Sequence, residues 1–424
     1  MIKRTVLNDL NQHQTAPEMT VLIGPRQTGK TYLMQVLQNQ LEKRGEKTVF
    51  LSLDIEEHKQ FFLSQSALIN YLRLQAGDSK AYVFIDEIQR KEDAGLFLKG
   101  IYDMRLPYKF IVSGSGSLDL KARIKESMAG RKQLFTIEPI SFEEFINFKT
   151  EYKYEDRLQD FFSIEEIKTQ SMLDEYMRFG GYPRVILADT LDRKNKEIEE
   201  IYISYRERDI TDLLGVEKPE AFTNLLKIIA SQIGSLVNFT ELSTTVGISY
   251  KTTQHYLWYL EQTFIIKKVT PFYRNVRSEI SKAPIYYFYD TGLRNYLLGL
   301  FGLSSIPPAL SGYLFENAVF NILRRGIHSA STSIHFWRTR DRAEVDFVVD
   351  TGQEIIPVEV KYSRLKKPEV SRSFRSFLQK YKPQKAYIVH LGEKMQDEFE
   401  KTKISFIPYY ESIYITSGTR NLIT

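Results

Sequence analysis

The segment Gly24-Pro25-Arg26-Gln27-Thr28-Gly29-Lys30-Thr31 spells G-x-x-x-x-G-K-T between an apolar run, Val21-Leu22-Ile23, and an amphipathic stretch beginning near Lys30. Glycines at this spacing let backbone N–H groups close around phosphate oxygens, and the following helix N-terminus favours negative charge. Lys30 supplies a point charge to the outer phosphates, and the Thr31 hydroxyl suits a magnesium ion. A second motif, Tyr82-Val83-Phe84-Ile85-Asp86-Glu87, is an apolar strand ending in two carboxylates. At a phosphate site Asp86 would hold magnesium through water, while Glu87 would orient and deprotonate an attacking water. A further apolar run ends in Ser113-Gly114-Ser115, so Ser113 or Ser115 is expected at the terminal phosphate or the water. Arg131, ahead of the fifth strand, is expected as a γ-phosphate sensor or as a finger reaching across an interface; a solvated or salt-bridged arginine is the alternative. Arg26 and Arg184 are weaker phosphate contacts, with a plain surface role as their alternative. No Asn-Lys-x-Asp guanine reader accompanies these motifs, which favours ATP over GTP.

A second constellation lies near the C-terminus. Alternation along strands puts Glu344 and Asp346 on one side, and likewise Glu359 and Lys361 on the next strand. Glu316 sits on the helix before them. Asp346 and Glu359, assisted by Glu316, would hold magnesium by oxygen ligands, and Lys361 would stabilise charge or place water during in-line phosphodiester hydrolysis. The alternative is a salt-bridged face of an ordinary half-exposed sheet. From Lys361 to Lys385 there are nine basic residues against one acidic residue, Glu369, a stripe that attracts phosphates unless it is simply a solvated face.

Short apolar strands spaced by amphipathic stretches, at 19–24, 48–54, 81–87, 109–115 and 134–140, predict a parallel α/β sheet behind the first site. From 142 to 220 the pattern turns helical and charged, broken by Gly180-Gly181 and Pro183, which predicts a lid and connector. Residues 221–271 order as helix, helix, turn, helix and strand, with Ser249 as the N-cap of the third helix. That order predicts a winged helix-turn-helix, with Tyr250, Lys251, Thr252, Gln254 and His255 facing a nucleic-acid groove or a protein. The last third predicts a helix at 313–323, strands at 334–338, 344–349 and 355–362, a helix at 368–381 and a strand at 385–390, with Ser305-Ile306-Pro307-Pro308 as a joint. The expected domains are 1–165, 166–220, 221–283 and 284–424.

The 424 residues, 42% hydrophobic and 26% charged, can fill several cores and exclude wholesale disorder. With no cysteine there are no disulfides, thiolate metal sites or cysteine nucleophile, and six scattered histidines make a histidine metal cluster improbable. No run approaches the ~18 apolar residues of a membrane span, and the start of the chain lacks an apolar signal core, so a cytoplasmic protein without a membrane partner is expected. The net charge of +5 is too small to imply nucleic acid by itself.

The first 165 residues resemble the AAA+ and related P-loop ATPases that use a catalytic glutamate. The helix, three strands, helix and strand carrying Glu316, Asp346, Glu359 and Lys361 resemble the restriction-endonuclease-like PD-(D/E)XK fold. Over nearly its full length the chain resembles a prokaryotic family of AAA-type ATPases with a C-terminal domain of unknown function. Matching residues include Ala129-Gly130-Arg131, Gly180-Gly181-Tyr182-Pro183, the segment Tyr205-Arg206-Glu207-Arg208-Asp209-Ile210, Tyr289-Asp290-Thr291-Gly292-Leu293 and Phe315-Glu316-Asn317. It is also similar to archaeal-type ATPases that act as nucleotide-gated switches. The resemblance implies an α/β P-loop NTPase of the AAA+/ASCE type with helical lid, winged helix and nuclease-like domain. The implied ligands are ATP and Mg2+, and the expected partner is DNA, which the C-terminal domain would cleave. The alternative is a switch whose C-terminal half binds DNA or a protein without cutting it. Oligomeric state is open, although Arg131 acting as a finger would require an oligomer.

Overall fold

The computed structural model describes residues 2–115, 128–206, 218–273, 282–339 and 341–417. The first sheet is built from β1 (Met19–Gly24), β2 (Thr48–Ser52), β3 (Ala81–Asp86), β4 (Tyr108–Ser115) and β5 (Lys132–Thr136), all parallel, in the order β2-β3-β4-β1-β5. Every residue of β1 and β3 is buried, as expected of strands covered on both faces. One apolar cluster, with Val21, Val83 and Leu98, packs on one face of the sheet; another, with Leu22, Leu33 and Phe84, packs on the other. Helix α1 (Lys30–Lys43) leaves β1 through the glycine loop. The fifth strand ends earlier than its apolar pattern predicts. Pro139 has no N–H to donate, and Glu138 turns toward the C-terminal third of the chain.

The helical region contains α2 (Glu166–Phe179) and the short α3 (Pro183–Leu187). Three helices follow: α4 (Pro219–Ser231), α5 (Phe239–Val246) and α6 (Tyr250–Gln262). The turn between α5 and α6 is closed by left-handed Gly247, and the Ser249 hydroxyl caps α6 at Thr252 N, as predicted. Strand β6 (Ile266–Val269) then pairs antiparallel with β7 (Ile285–Phe288). That pairing crosses the boundary expected at 283/284. Helix α7 (Thr291–Leu297) also packs back onto α2, where Asn295 Nδ2 donates to Met177 O at 3.0 Å.

Helix α8 (Pro308–Arg325) begins where a joint was expected, because proline at the first helical position needs no hydrogen-bond partner. The second sheet has the order β12-β13-β11-β10-β9-β8. Strands β8 (Ser333–Arg338), β9 (Glu344–Asp350) and β10 (Ile355–Val360) run antiparallel, and β11 (Lys385–His390) follows helix α9 (Arg372–Tyr381). A hairpin of β12 (Met395–Phe399) and β13 (Thr402–Pro408), absent from the expectation, completes the sheet, with β13 parallel to β11. α9 covers one face through Phe374 and Phe377 in a core with Trp337 and Phe406. The other face joins the large apolar cluster that also takes in α2, α4 and α8.

Candidate functional site

The glycine loop leaves β1 at Gly24, where φ is +151° and a Cβ would overlap the carbonyl oxygen of Ile137. Gly29 takes φ +92° at the N-cap of α1, a conformation glycine adopts without penalty. Buried Lys30 folds back onto its own loop, its Nζ donating to Gly24 O at 3.0 Å and Pro25 O at 2.7 Å. Thr28 is also buried and donates to Pro25 O and Ile137 O, each at 2.9 Å, which ties the loop to the exit of β5. Arg184, at the start of α3, reaches Gln27 Oε1 at 3.4 Å and pairs with Glu197. Arg26 acts on Glu87 through its charge.

Strand β4 separates β1 from β3, so the acidic pair is two strands from the loop. The side chains bridge that gap: Thr31 Oγ1 donates to Asp86 Oδ2 at 2.8 Å. Ser113, fully buried on β4, donates to the other Asp86 oxygen and accepts from Glu87 N at 3.3 Å. Glu87 holds a left-handed φ of +56°, unusual for a residue other than glycine and typical of strained functional positions. Burial pushes its carboxyl up, against the pull of Lys30, and Gln89 Nε2 donates to it. The side chain of Ser115 lies outside the described residues, as do residues 207–210.

Arg131 falls elsewhere. Its carbonyl accepts from Met19 N at the entry to β1, whereas the glycine loop leaves the opposite end. Its guanidinium pairs with Asp103 at 2.8 Å. A loop preceding a parallel strand necessarily opens on the edge away from the phosphates, so the expected contact of Arg131 with this chain's own nucleotide is corrected to a structural ion pair.

The exit of β5 holds a network that sequence inspection misses. Arg4 donates to Thr28 O at 3.0 Å and Glu138 O at 2.6 Å, and pairs with Glu144 at 3.2 Å. The Glu138 side chain takes both terminal nitrogens of Arg324 on α8, with Arg325 Nε at 3.5 Å. Burial pushes the Glu138 carboxyl up, but Arg324, Arg325 and Arg4 outweigh it and hold the group below its ordinary range. Two adjacent arginines ending a helix were the available signal.

Eight residues before Arg324, α8 carries Glu316. Half-buried Glu316 accepts from Tyr287, and desolvation together with the Asp346 charge pushes its carboxyl well up. Asp346 Oδ2 accepts from Val360 N at 2.6 Å, while burial pushes its carboxyl to about 7. Glu359, 5% exposed, pairs with Lys361 Nζ at 2.5 Å and accepts from Ser371 Oγ at 3.0 Å. The structure therefore brings together all four C-terminal residues. Among the described residues no group of three or more histidine or acidic side chains forms a metal cage. A divalent ion at either site would have few protein ligands, the coordination magnesium adopts when it keeps waters or phosphate oxygens. In the basic stripe, Lys361, Arg364, Lys367 and Lys385 are ion-paired within the chain. On α6, Tyr250, Lys251, Gln254 and His255 are exposed and Thr252 is half-buried. No described helix is long and apolar enough to cross a membrane.

Residues 16–146 match a family model described as an AAA domain. Residues 170–304 and 311–411 match two models, each described as a domain of unknown function. The first of these runs across both expected internal boundaries, 220/221 and 283/284. An uncharacterized protein of Haemophilus influenzae is 27% identical over 376 residues, covering 85% of this chain and 87% of that one. One from Mycobacterium tuberculosis is 26% identical over 379 residues, covering 88% and 77%. Among solved structures, the replication initiator DnaA bound to AMPPCP and single-stranded DNA matches 62% of this chain and 90% of its own, at 17% identity and a TM-score of 0.29. That superposition is too loose to carry any property of DnaA across.

Proposed function

The chain opens with an AAA-type P-loop ATPase domain, and from that premise we propose that it hydrolyses ATP with magnesium and uses the cycle to act on DNA at the C-terminal carboxylate site. The observation that carries the reading is the convergence of Lys30, Thr31, Asp86, Ser113 and Glu87 at one sheet edge, joined by the Thr31–Asp86 bond. Incoming phosphates replace the loop carbonyls as partners of the Lys30 ammonium. Thr31 and Asp86 would hold magnesium, which supplies charge neutralisation between the outer phosphates. Ser113 fixes the Asp86 carboxylate, and Glu87 accepts the proton of the attacking water. The Glu87 position is strained but anchored through its N–H on Ser113, so the base is placed before substrate arrives.

Occupancy at the loop is relayed through Thr28 and Arg4 to the β5 exit, and through Glu138 to α8, which carries Glu316 about 12 Å away along its axis. There Asp346 and Glu359 would hold the ion of a phosphodiester cut, and Lys361 would balance the charge that develops on phosphorus. One observation favours a second reading, a nucleotide-gated switch that binds DNA or protein without cutting. Glu316, Asp346 and Glu359 each already have a hydrogen-bond partner inside the chain. Plasmid and linear DNA incubated with ATP and magnesium separate the two. Cutting by wild type and not by Lys361→Ala supports the nuclease; bound but uncut DNA in both supports the switch.

A further inference from the structure

Between the N-terminus of α5, the outer face of α6 and the β6–β7 ribbon lies a concavity of about 610 Å³. Two of its walls are aromatic rings that face solvent, Tyr250 at 49% and Trp258 at 46% exposure, although large aromatic side chains are ordinarily drawn inside. Phe239 stands edge-on to Tyr250 with ring centroids 6.0 Å apart, and His255 stacks on Trp258 at 5.8 Å, so both rings are held in place. The rim carries Lys268 and Lys282, and neither has an ion-pair partner among the described residues. Glu261, the one acid among the described residues that line the cleft, is neutralised by Lys267 at 3.0 Å.

Presented π faces beside cations that have no ion-pair partner among the described residues suit a ligand with planar rings and a polyanionic backbone. A protein segment has no such regular pairing of rings and negative charge. A duplex keeps its base faces stacked internally, where Trp258 cannot reach them, and a helix of paired bases is too wide to enter a cleft of this size. We propose that this cleft binds single-stranded nucleic acid, with bases stacking on Trp258 and Tyr250 and the backbone following Lys268 and Lys282. It narrows the proposed DNA partner to an unpaired strand. It also makes the exposed side of α6 a stacking platform instead of a major-groove reader.

The chain has two tryptophans, and the other, Trp337, is 3% exposed and packed edge-on against Phe377 at 5.2 Å. Intrinsic fluorescence therefore reads this cleft directly, independently of ATP turnover or cutting. Full-length protein is titrated with oligothymidylate, with a duplex of equal length and with inorganic polyphosphate as a charge-only probe. The expected result is saturable quenching by oligothymidylate alone. In anisotropy with a labelled oligothymidylate, Trp258→Ala should weaken binding roughly tenfold, whereas Trp258→Phe should keep most of the affinity. Lys268→Ala with Lys282→Ala should flatten its salt dependence. Equal quenching by duplex or polyphosphate, or oligothymidylate binding unchanged in Trp258→Ala, would overturn the proposal. Saturable quenching by oligothymidylate in a wild type that neither cuts DNA nor turns over ATP would uphold this cleft while overturning the ATPase and cleavage reading alone.

Discussion

Glu138→Gln is the perturbation with the largest consequence for how the two halves of the chain are joined. The carboxylate is 16% exposed, the Arg324 guanidinium 12% and Arg325 20%, so the substitution takes the facing carboxylate charge away from two largely desolvated cations, which keep Asn321 Oδ1, Pro139 O and the Tyr289 ring. Removing one partner of a buried pair costs about 3–5 kcal/mol, far more than the net worth of the intact pair. For a body of roughly 200 residues that corresponds to a fall in melting temperature of about 6–20 °C. Because the pair joins the β5 exit to α8, the loss should appear as an early transition in calorimetry that separates from the main one. The double variant Glu138→Gln with Arg324→Met removes one of the two stranded charges and should recover part of the deficit. A single variant melting within about 2 °C of wild type, or a double variant worse than the single, would refute the reasoning.

Ser113→Ala removes the donor that orients Asp86 and the acceptor beneath Glu87 N, so kcat for ATP should fall about 10–100-fold with nucleotide affinity nearly unchanged; steady-state kinetics with a parallel binding titration check this. Lys109, buried and donating to Ala16 O and Glu18 O, is pushed by burial down to about 8. Its charged form therefore costs stability fully below pH 8, and the cost is relieved as pH rises toward its ordinary 10.5. Wild type should gain about 1–3 kcal/mol relative to Lys109→Met across that window in denaturant melts, and a flat difference would contradict it.

The phosphate loop and the acidic pair were legible because each is a local pattern whose meaning is carried by its neighbours: glycines before a helix, acids after a buried strand. The insertion of β4 between β1 and β3 was not, since strand order depends on crossovers that leave no local trace. Of the two readings of Arg131 the structure favours the salt-bridged one: in the parallel sheet already expected from the apolar strands, the loop before β5 opens on the edge away from the glycine loop, where Arg131 pairs with Asp103. The Arg4–Glu138–Arg324 network links residues far apart in the chain, so no spacing rule reaches it. The β12–β13 hairpin escaped because Met395-Gln396-Asp397-Glu398-Phe399 lies at the sheet edge, exposed and polar. The pairing of β6 with β7 joins strands on either side of the boundary expected at 283/284, a contact between segments that no local pattern announces. Pro308, by contrast, carried a readable signal for a helix start that was taken for a joint.

The central claim, that one sheet edge binds ATP through Lys30 and hydrolyses it through Glu87, is tested most directly by measuring nucleotide affinity and turnover together in wild type, Lys30→Ala and Glu87→Gln. The account predicts binding and turnover in wild type, neither in Lys30→Ala, and binding without turnover in Glu87→Gln. Turnover retained in Glu87→Gln, or nucleotide bound normally by Lys30→Ala, would contradict it.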